Sequence, residues 1–363
     1  MPNHVQNIIY FKEKSNTKSS NHEDYEDLDI VRIRSILEDI KYDEEKEAGT
    51  TDLLGTIDFN KLIPMPKTLH IVSGGYQKEA IETYLSCINP ANDDYGYEEK
   101  VTASYYNSLL SRIVGASGPF CRGYNDKLSK EEVVKNMEEY LKNTSGKHRW
   151  SKPSEYELTL LDLGKTAVNN VINYGSLDWY DWSCKQWGTK WNSYDSWPWE
   201  DNACIGYNTA WSASHPVVQE LSKKYPDVLF MHYWADEDFS MNTGMISYCN
   251  GKEFYVYIPE GGSKEAYELA AEVQGYDLEE EYFYSEKKGN YIYITDCFDI
   301  SEEAYKTIVI KKKVLKAKYF VREKDDKGKI YYRFNSECDE YTDNEFLKKV
   351  YSEICNNGFE INY

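Results

Sequence analysis

Alternating apolar and polar residues predict strands along this chain, and apolar residues spaced by three and four predict helices. One helix is predicted over residues 30–40, and a second opens at Pro216 and closes before Pro226. The predicted strands are residues 5–12, 189–195, 203–211 and 227–237. The order strand, helix, strand, strand, helix, strand is the split βαβ pattern of ferredoxin-like folds. After it, Asn250 and Gly251 predict the tight turn of a further hairpin.

Large elaborations are predicted around this core. Four helical segments precede the second core strand: residues 78–88, 97–114, 129–143 and 154–175. We therefore predict an α+β protein with a discontinuous ferredoxin-like core at 1–67 and 176–262. Residues 68–175 form a helical insertion in this scheme, and residues 263–363 a C-terminal α+β elaboration.

Local signals fix some of the predicted helix ends and faces. Ser129 with Glu132 predicts a capping box, and Gly175 and Gly188 are predicted to end helices. Ser176 is predicted to cap a short helix that carries Trp179, Trp182 and Trp187 on one side. In the helix at 30–40, the residues predicted to share one side are Val31, Ile33, Ile36 and Leu37.

The tryptophans are concentrated in one part of the chain. All nine lie between Trp150 and Trp234, and six of them fall within Trp179 to Trp199. Such a concentration indicates either the best-packed part of the core or an aromatic binding surface. The 34 tyrosines leave a similar choice between biased composition and the use of tyrosine as a contact residue.

Charge limits the classes of partner. With a net charge of −20, the chain is unsuited to binding nucleic acid directly, and it favours a basic protein partner. The one basic stretch, residues 311–324, fits a charged edge strand or a contact with an anionic partner. Neither disulfide nor zinc-binding spacing appears among the eight cysteines. The sequence shows no leader segment and no membrane span, so we expect a cytoplasmic protein without a cofactor.

Several motifs resemble the YubB-type proteins, which are encoded by phages and plasmids. These motifs are MPNHVQNIIYF, DFNKLIPMPK, CKQWGTKWNSYD, TAWSASHPVVQELSKKYPD and WADED. They cover residues 1–12, 57–67 and about 176–249. The resemblance implies a ferredoxin-like domain and an accessory protein of a mobile genetic element in a bacterial host. It implies no reaction.

Polar residues interleaved with tryptophan are the candidate binding residues. The candidates are Trp187, Lys190, Trp191, Asn192, Asp195, Trp211, His215 and Asp236. We expect the strands that carry 190–195, 209–211 and 232–236 to lie near one another, with Lys190 placed to contact an anionic group. In the alternative reading, the tryptophans belong to the core. A metal site built from His215, His232, Asp236 and Asp238 has no support beyond spacing that is common by chance, so no metal is predicted.

We therefore expect a non-enzymatic accessory protein that binds a host protein complex, such as an antiviral defence or nucleic-acid-processing complex, and inhibits it. Homo-oligomers are compatible with this expectation. The alternative is a small-ligand-binding protein or enzyme that uses the tryptophan-lined sheet around Lys190–Asp195.

Overall fold

The computed structural model describes most of the chain. The described residues are 3–14, 25–42, 57–91, 101–116, 129–144, 155–199, 204–295, 298–311, 317–334 and 344–362. The chain divides into two compact units, Met1–His232 with Ser247–Phe254, and Tyr233–Ile246 with Tyr255–Tyr363. The predicted division at residues 68, 176 and 263 stays a prediction.

A mostly antiparallel sheet contains the strands that the sequence predicted for the core. Its strands are β1 (His4–Lys14), β2 (Tyr25–Asp27), β3 (Tyr194–Trp199), β4 (Cys204–Ala210), β5 (Val228–Asp236), β6 (Thr243–Cys249) and β7 (Lys252–Tyr257). Their order is β3-β4-β1-β5-β6-β7, and β2 pairs with the end of β1. Strand β4 is antiparallel to both β1 and β3.

The order of these strands is that of a split βαβ unit. Helix α1 (Ile30–Ile40) follows β1, and β4 is inserted between β1 and β3. Helix α7 (His215–Lys224) then connects β4 to β5. The predicted fold class, a mixed α+β protein with a ferredoxin-like domain, is confirmed.

Two predictions about this core are wrong. The strand predicted over 189–195 begins only at Tyr194 and continues to Trp199, because side chains bind the backbone that precedes it. Thr189 Oγ1 donates to the Ala210 carbonyl at 2.8 Å, and Ser183 Oγ donates to the Lys190 carbonyl at 2.7 Å. The strand that carries His232 and Asp236 is not beside β4, because β1 lies between β4 and β5.

Helix α1 corrects a third prediction. Its buried residues are Ile33, Ile36, Leu37 and Ile40. Val31 is 69% exposed, so it does not share their side. At about 100° per residue, Val31 lies nearly opposite the centre of this stripe.

The helices of the predicted insertion form between residues 75 and 174. They are α2 (Gly75–Ile88), α3 (Ala103–Ala116), α4 (Lys130–Thr144) and α5 (Glu155–Tyr174). They pack around one apolar cluster that includes Leu85, Leu110 and Val168. The predicted capping box is present, because Ser129 N–H donates to Glu132 Oε2 and Glu132 N–H donates to Ser129 Oγ. Gly175 ends α5 with a φ of 67°, as predicted.

The second unit contains smaller sheets and short helices. Its further elements are α8 (Lys264–Gln274), α9 (Leu278–Glu281), β8 (Tyr282–Ser285), β9 (Asn290–Tyr293), β10 (Asp299–Ser301), α10 (Glu302–Tyr305), β11 (Phe320–Lys324), β12 (Ile330–Phe334) and α11 (Asn344–Asn356). A π-helical turn, Lys306–Lys311, continues α10. Strand β11 lies at one edge of the sheet β10-β12-β11, so the last part of the basic stretch 311–324 is an edge strand. Residues 312–316 of that stretch lie outside the described residues.

The predicted hairpin is also present. Asn250 and Gly251 connect β6 to β7 with φ values of 49° and 73°. Positive φ at both central residues is typical of the type I′ turn. Among the described residues, no helix is both long and apolar enough to cross a membrane.

Candidate binding surface around Lys190

The backbone of Lys190 is held between a short helix and strand β4. Helix α6 (Trp179–Gln186) is capped by Asp178, whose carboxylate accepts the backbone N–H groups of Tyr180 at 2.9 Å and Asp181 at 3.1 Å. The predicted cap, Ser176, is therefore wrong, since the helix begins two residues later than a Ser176 cap requires. After Gly188, with a φ of 77°, the Lys190 N–H donates to the Ala210 carbonyl at 3.3 Å.

Three aromatic rings surround the ammonium group of Lys190. The Nζ atom is 4.6 Å from the ring centre of Trp191, 4.6 Å from that of Trp211 and 6.0 Å from that of Tyr180. A cation over an indole face is attracted by the electron density of the ring. Trp191 is 38% exposed and Trp211 is 41% exposed. The side chain of Lys190 therefore organises two large apolar groups that remain in contact with solvent.

Trp211 has an unusual backbone conformation. Its φ is 74°, in the left-handed region that bulky residues seldom adopt. Its N–H donates to the Asn3 carbonyl at 2.8 Å, and the hydroxyl of Thr209 donates to the Ser212 carbonyl at 2.8 Å. Such a conformation costs about 1–3 kcal/mol and persists only where surrounding structure imposes it. These hydrogen bonds hold the backbone that presents the Trp211 ring.

Further rings extend the surface on both sides of Lys190. Tyr180 makes edge contacts with Trp211 and with Trp179, both with ring centres 5.9 Å apart. On the other side, Trp191 is 6.3 Å from Tyr194. We call Trp179, Tyr180, Lys190, Trp191, Tyr194 and Trp211 the aromatic surface.

Tyr194 links this surface to the first strand. Its hydroxyl donates to the Thr209 carbonyl at 3.1 Å and lies 2.7 Å from His4 Nδ1. Because the hydroxyl proton goes to Thr209, His4 Nδ1–H is the donor in the second bond. The pairing fixes the Tyr194 ring beside Trp191.

Cys184 is an exposed thiol on α6 near the aromatic surface. Burial of its sulfur and the negative charge of Asp181 raise the pKa of the thiol, whereas the nearby Lys190 ammonium acts to lower it. The Cys184 pKa therefore reports the local electrostatics of Lys190.

Two predicted binding residues belong to the interior instead. Trp187 is buried, makes edge contacts with Phe59 and Trp182, and donates its indole N–H to the Ile63 carbonyl at 2.9 Å. Asn192 accepts the Phe59 N–H at 2.8 Å and donates to Asp58 Oδ1 at 2.8 Å. Both residues anchor the segment 57–63 to the core.

Asp195 and Asp236 have local structural roles. Asp195 is exposed with a φ of 48°, where the pairing of β3 with β4 is irregular. Asp236 accepts the Asp238 N–H at 3.0 Å and an Asn242 amide N–H at 3.1 Å. An Asx turn of this kind orders the loop that follows β5.

His215 forms a buried ring pair with His232. The ring centres are 5.1 Å apart, and His232 Nε2–H donates to Asn7 Oδ1 at 2.9 Å. Burial lowers the pKa of His215 to about 4, and burial together with His215 lowers the pKa of His232 well below 6.5. Both rings are therefore neutral at neutral pH. Among the described residues, no three His, Cys, Asp or Glu side chains are placed to hold a metal ion.

Sequence reasoning found three members of the aromatic surface, Lys190, Trp191 and Trp211. It placed Trp179 with the buried Trp182 and Trp187, and it missed Tyr180 and Tyr194. Trp179 and Tyr180 lie in the first turn of α6, where the side chains are only partly buried. Had Asp178 been recognised as the cap, the first helical turn would have begun at Trp179.

Comparisons with known proteins support the fold. No curated protein matches this chain. Among solved structures, the chain is similar to the crystal structure of the protein api92 from Yersinia pseudotuberculosis at 12% identity, with a TM-score of 0.25. That match covers 72% of this chain and 99% of the other chain. Residues 186–279 match the family model of the ferredoxin-like domain in Api92-like protein. This matched region contains Lys190, Trp191, Tyr194 and Trp211.

Proposed function

We propose that this protein is a non-enzymatic binding protein that docks on a basic protein partner through the aromatic surface. The observation that carries the proposal is the pair of exposed indoles, Trp191 and Trp211, held on either side of the Lys190 ammonium. Tryptophan is enriched among the few residues that supply most of the affinity of protein interfaces.

The geometry around Lys190 favours a large partner over a small ligand. The Lys190 side chain lies over both indoles, in the space that a small ligand between the rings would need. The exposed parts of Trp191 and Trp211 remain available to a partner surface. A protein that covers both rings would bury them without displacing Lys190.

The charge of the chain indicates the chemistry of the partner. A net charge of −20 steers encounter toward a positively charged surface and raises the rate of association. Proteins that hold nucleic acid present such surfaces. We propose a host defence or nucleic-acid-processing complex as the partner, inhibited because its basic surface is occupied. In this proposal the chain is an accessory protein of a phage or other mobile genetic element, acting in the cytoplasm of its bacterial host.

The alternative is a small anionic ligand bound by Lys190. Within the described residues, no carboxylate forms an ion pair with Lys190, and its charge is compensated by ring faces alone. An anion would then draw the ammonium off the rings. Substitution of Lys190 separates the two proposals, because a protein partner needs the indoles most and an anion needs the ammonium most.

Affinity purification of the tagged protein from bacterial cells, with cross-linking, tests the proposal. We expect a basic protein in stoichiometric amount with the wild type and none with the Trp191→Ala/Trp211→Gly double variant. Tyr284→Ala is the matched control, because Tyr284 is 37% exposed and Lys264 lies 5.2 Å from its ring centre. Equal recovery with the wild type and the double variant would contradict the proposal, as would the absence of any stoichiometric partner.

A further inference from the structure

A cavity of about 250 Å³ lies within the helical region, well away in sequence from the aromatic surface. It is formed where the end of α2, the first turns of α3 and the middle of α4 meet. Its lining residues are Asn89, Pro90, Ala91, Ala103, Tyr106, Asn107 and Glu138. The lining combines a small apolar wall with four side chains that can form hydrogen bonds.

The hydroxyl of Tyr106 is the feature that needs explanation. Tyr106 is 5% exposed, and its hydroxyl has no hydrogen-bond partner among the described residues. Buried hydroxyls nearly always have a partner, and each exception calls for a physical reason such as a bound molecule. The hydroxyl belongs to a residue that lines the cavity, so a ligand there can supply the missing partner.

Glu138 sets the charge of the cavity. Burial and the negative charge of Glu138 together raise the pKa of Tyr106, so the phenol stays protonated. A carboxylate, a phenol oxygen and two amide oxygens give the cavity several hydrogen-bond acceptors. Asn89 Oδ1 already accepts the Ala91 N–H at 2.9 Å, which leaves Glu138 and Tyr106 as the main acceptors.

We propose that this cavity binds a guanidinium group, which donates N–H bonds to the Glu138 carboxylate and the Tyr106 hydroxyl oxygen. A guanidinium presents several donors in one plane and pairs with a carboxylate through two parallel bonds. Pro90, Ala91 and Ala103 pack against the apolar stem of such a ligand. The group belongs either to a free small guanidine or to an arginine side chain of a protein.

Titration with n-butylguanidine, followed by calorimetry and by the melting temperature, tests this site. The wild type should bind the probe, and n-butylamine should bind at least about tenfold more weakly, because one ammonium cannot form the paired bonds. Glu138→Gln should weaken binding at least about tenfold, and Tyr106→Phe roughly fivefold to tenfold. Glu139→Gln, which changes the neighbouring exposed glutamate, is the matched control and should bind like the wild type.

Two further arms distinguish the source of the group and guard against misfolding. A short peptide with a single arginine should bind if a partner protein supplies the group. Binding of butylguanidine without the peptide assigns the site to a free guanidine, and either result upholds the cavity. Tyr106→Phe should keep the melting temperature of the ligand-free protein, since it removes only the unpartnered hydroxyl. The proposal is overturned if neither probe binds the wild type, or if Glu138→Gln binds them equally well.

Discussion

The Lys190 ammonium lies 4.6 Å from the ring centre of Trp211, a residue whose backbone has a positive φ of 74°. The chain therefore holds a strained residue and a cation together at its surface. A core tryptophan would be buried, as Trp187 is, but Trp211 is 41% exposed. This combination indicates that the Trp211 ring is kept for an interaction outside the folded chain.

The first prediction concerns the stability of Trp211→Gly. Glycine adopts a positive φ without strain, and the exposed ring contributes little burial, so we expect the free energy of unfolding to change by less than about 1 kcal/mol. The comparison variant, Trp187→Ala, removes a buried ring and should lose about 3–5 kcal/mol. Urea unfolding measures both. A loss by Trp211→Gly as large as that of Trp187→Ala would identify Trp211 as a core residue.

The second prediction concerns the cap of helix α6. Asp178→Ala removes the carboxylate that accepts the Tyr180 and Asp181 N–H groups, and should cost about 0.5–2 kcal/mol in the free energy of unfolding. Ser176→Ala is the control, since the buried Ser176 hydroxyl makes no hydrogen bond among the described residues. Its removal should be close to neutral. A larger loss for Ser176→Ala than for Asp178→Ala would restore Ser176 as the cap.

The third prediction uses the Cys184 thiol as a probe of Lys190. Lys190→Ala removes a charge that lowers the Cys184 pKa, so alkylation of Cys184 by iodoacetamide near pH 8 should slow by about twofold. Asp181→Asn should accelerate it, because Asp181 raises that pKa. Mass spectrometry of the Cys184 peptide gives the rate. Lys185→Ala should leave it unchanged, and equal slowing by both lysine variants would place Lys190 away from the thiol.

The fourth prediction is a loss of stability at acid pH caused by the histidine pair. The unfolded chain protonates these residues as the pH falls through about 6.5, but folded His215 does so only near pH 4. Stability from the pair is therefore complete above about pH 7 and is lost as the pH falls from about 6.5 toward 4. At pH 5.5 each histidine accounts for a loss of about 1.4 kcal/mol.

Urea unfolding at about pH 7 and pH 5.5 measures this effect. The His215→Gln variant should lose about 1.4 kcal/mol less between the two values than the wild type. His70→Gln, at an exposed histidine, should lose as much as the wild type. A wild-type loss that His215→Gln does not reduce would show that His215 does not titrate differently in the folded and unfolded chain.

Local patterns were enough to predict the ferredoxin-like order, because each core strand and helix carries its own periodicity and end signals. Ser129 with Glu132, Gly175 and Asn250-Gly251 formed the structures that they predicted. The start of β3 could not be predicted in this way. It depends on bonds from Ser183 and Thr189 that replace strand pairing at residues 189–193.

The division of the tryptophans into core and surface also lay beyond the sequence. Trp187 and Trp191 stand four residues apart in similar surroundings, yet only Trp187 is buried. Its indole donates to Ile63, 124 positions earlier in the chain, and packs on Phe59. A long-range contact of this kind leaves no trace in local periodicity, so the candidate site could be predicted only in part.

The affinity of Trp211→Gly for the protein captured by the wild type tests the central claim most directly. Titration calorimetry with the purified partner gives the dissociation constant for the wild type, Trp211→Gly and Tyr284→Ala. If the aromatic surface is the anchor, Trp211→Gly should weaken binding by at least about 30-fold, and Tyr284→Ala by less than about twofold. A dissociation constant for Trp211→Gly within about twofold of the wild-type value would contradict the account.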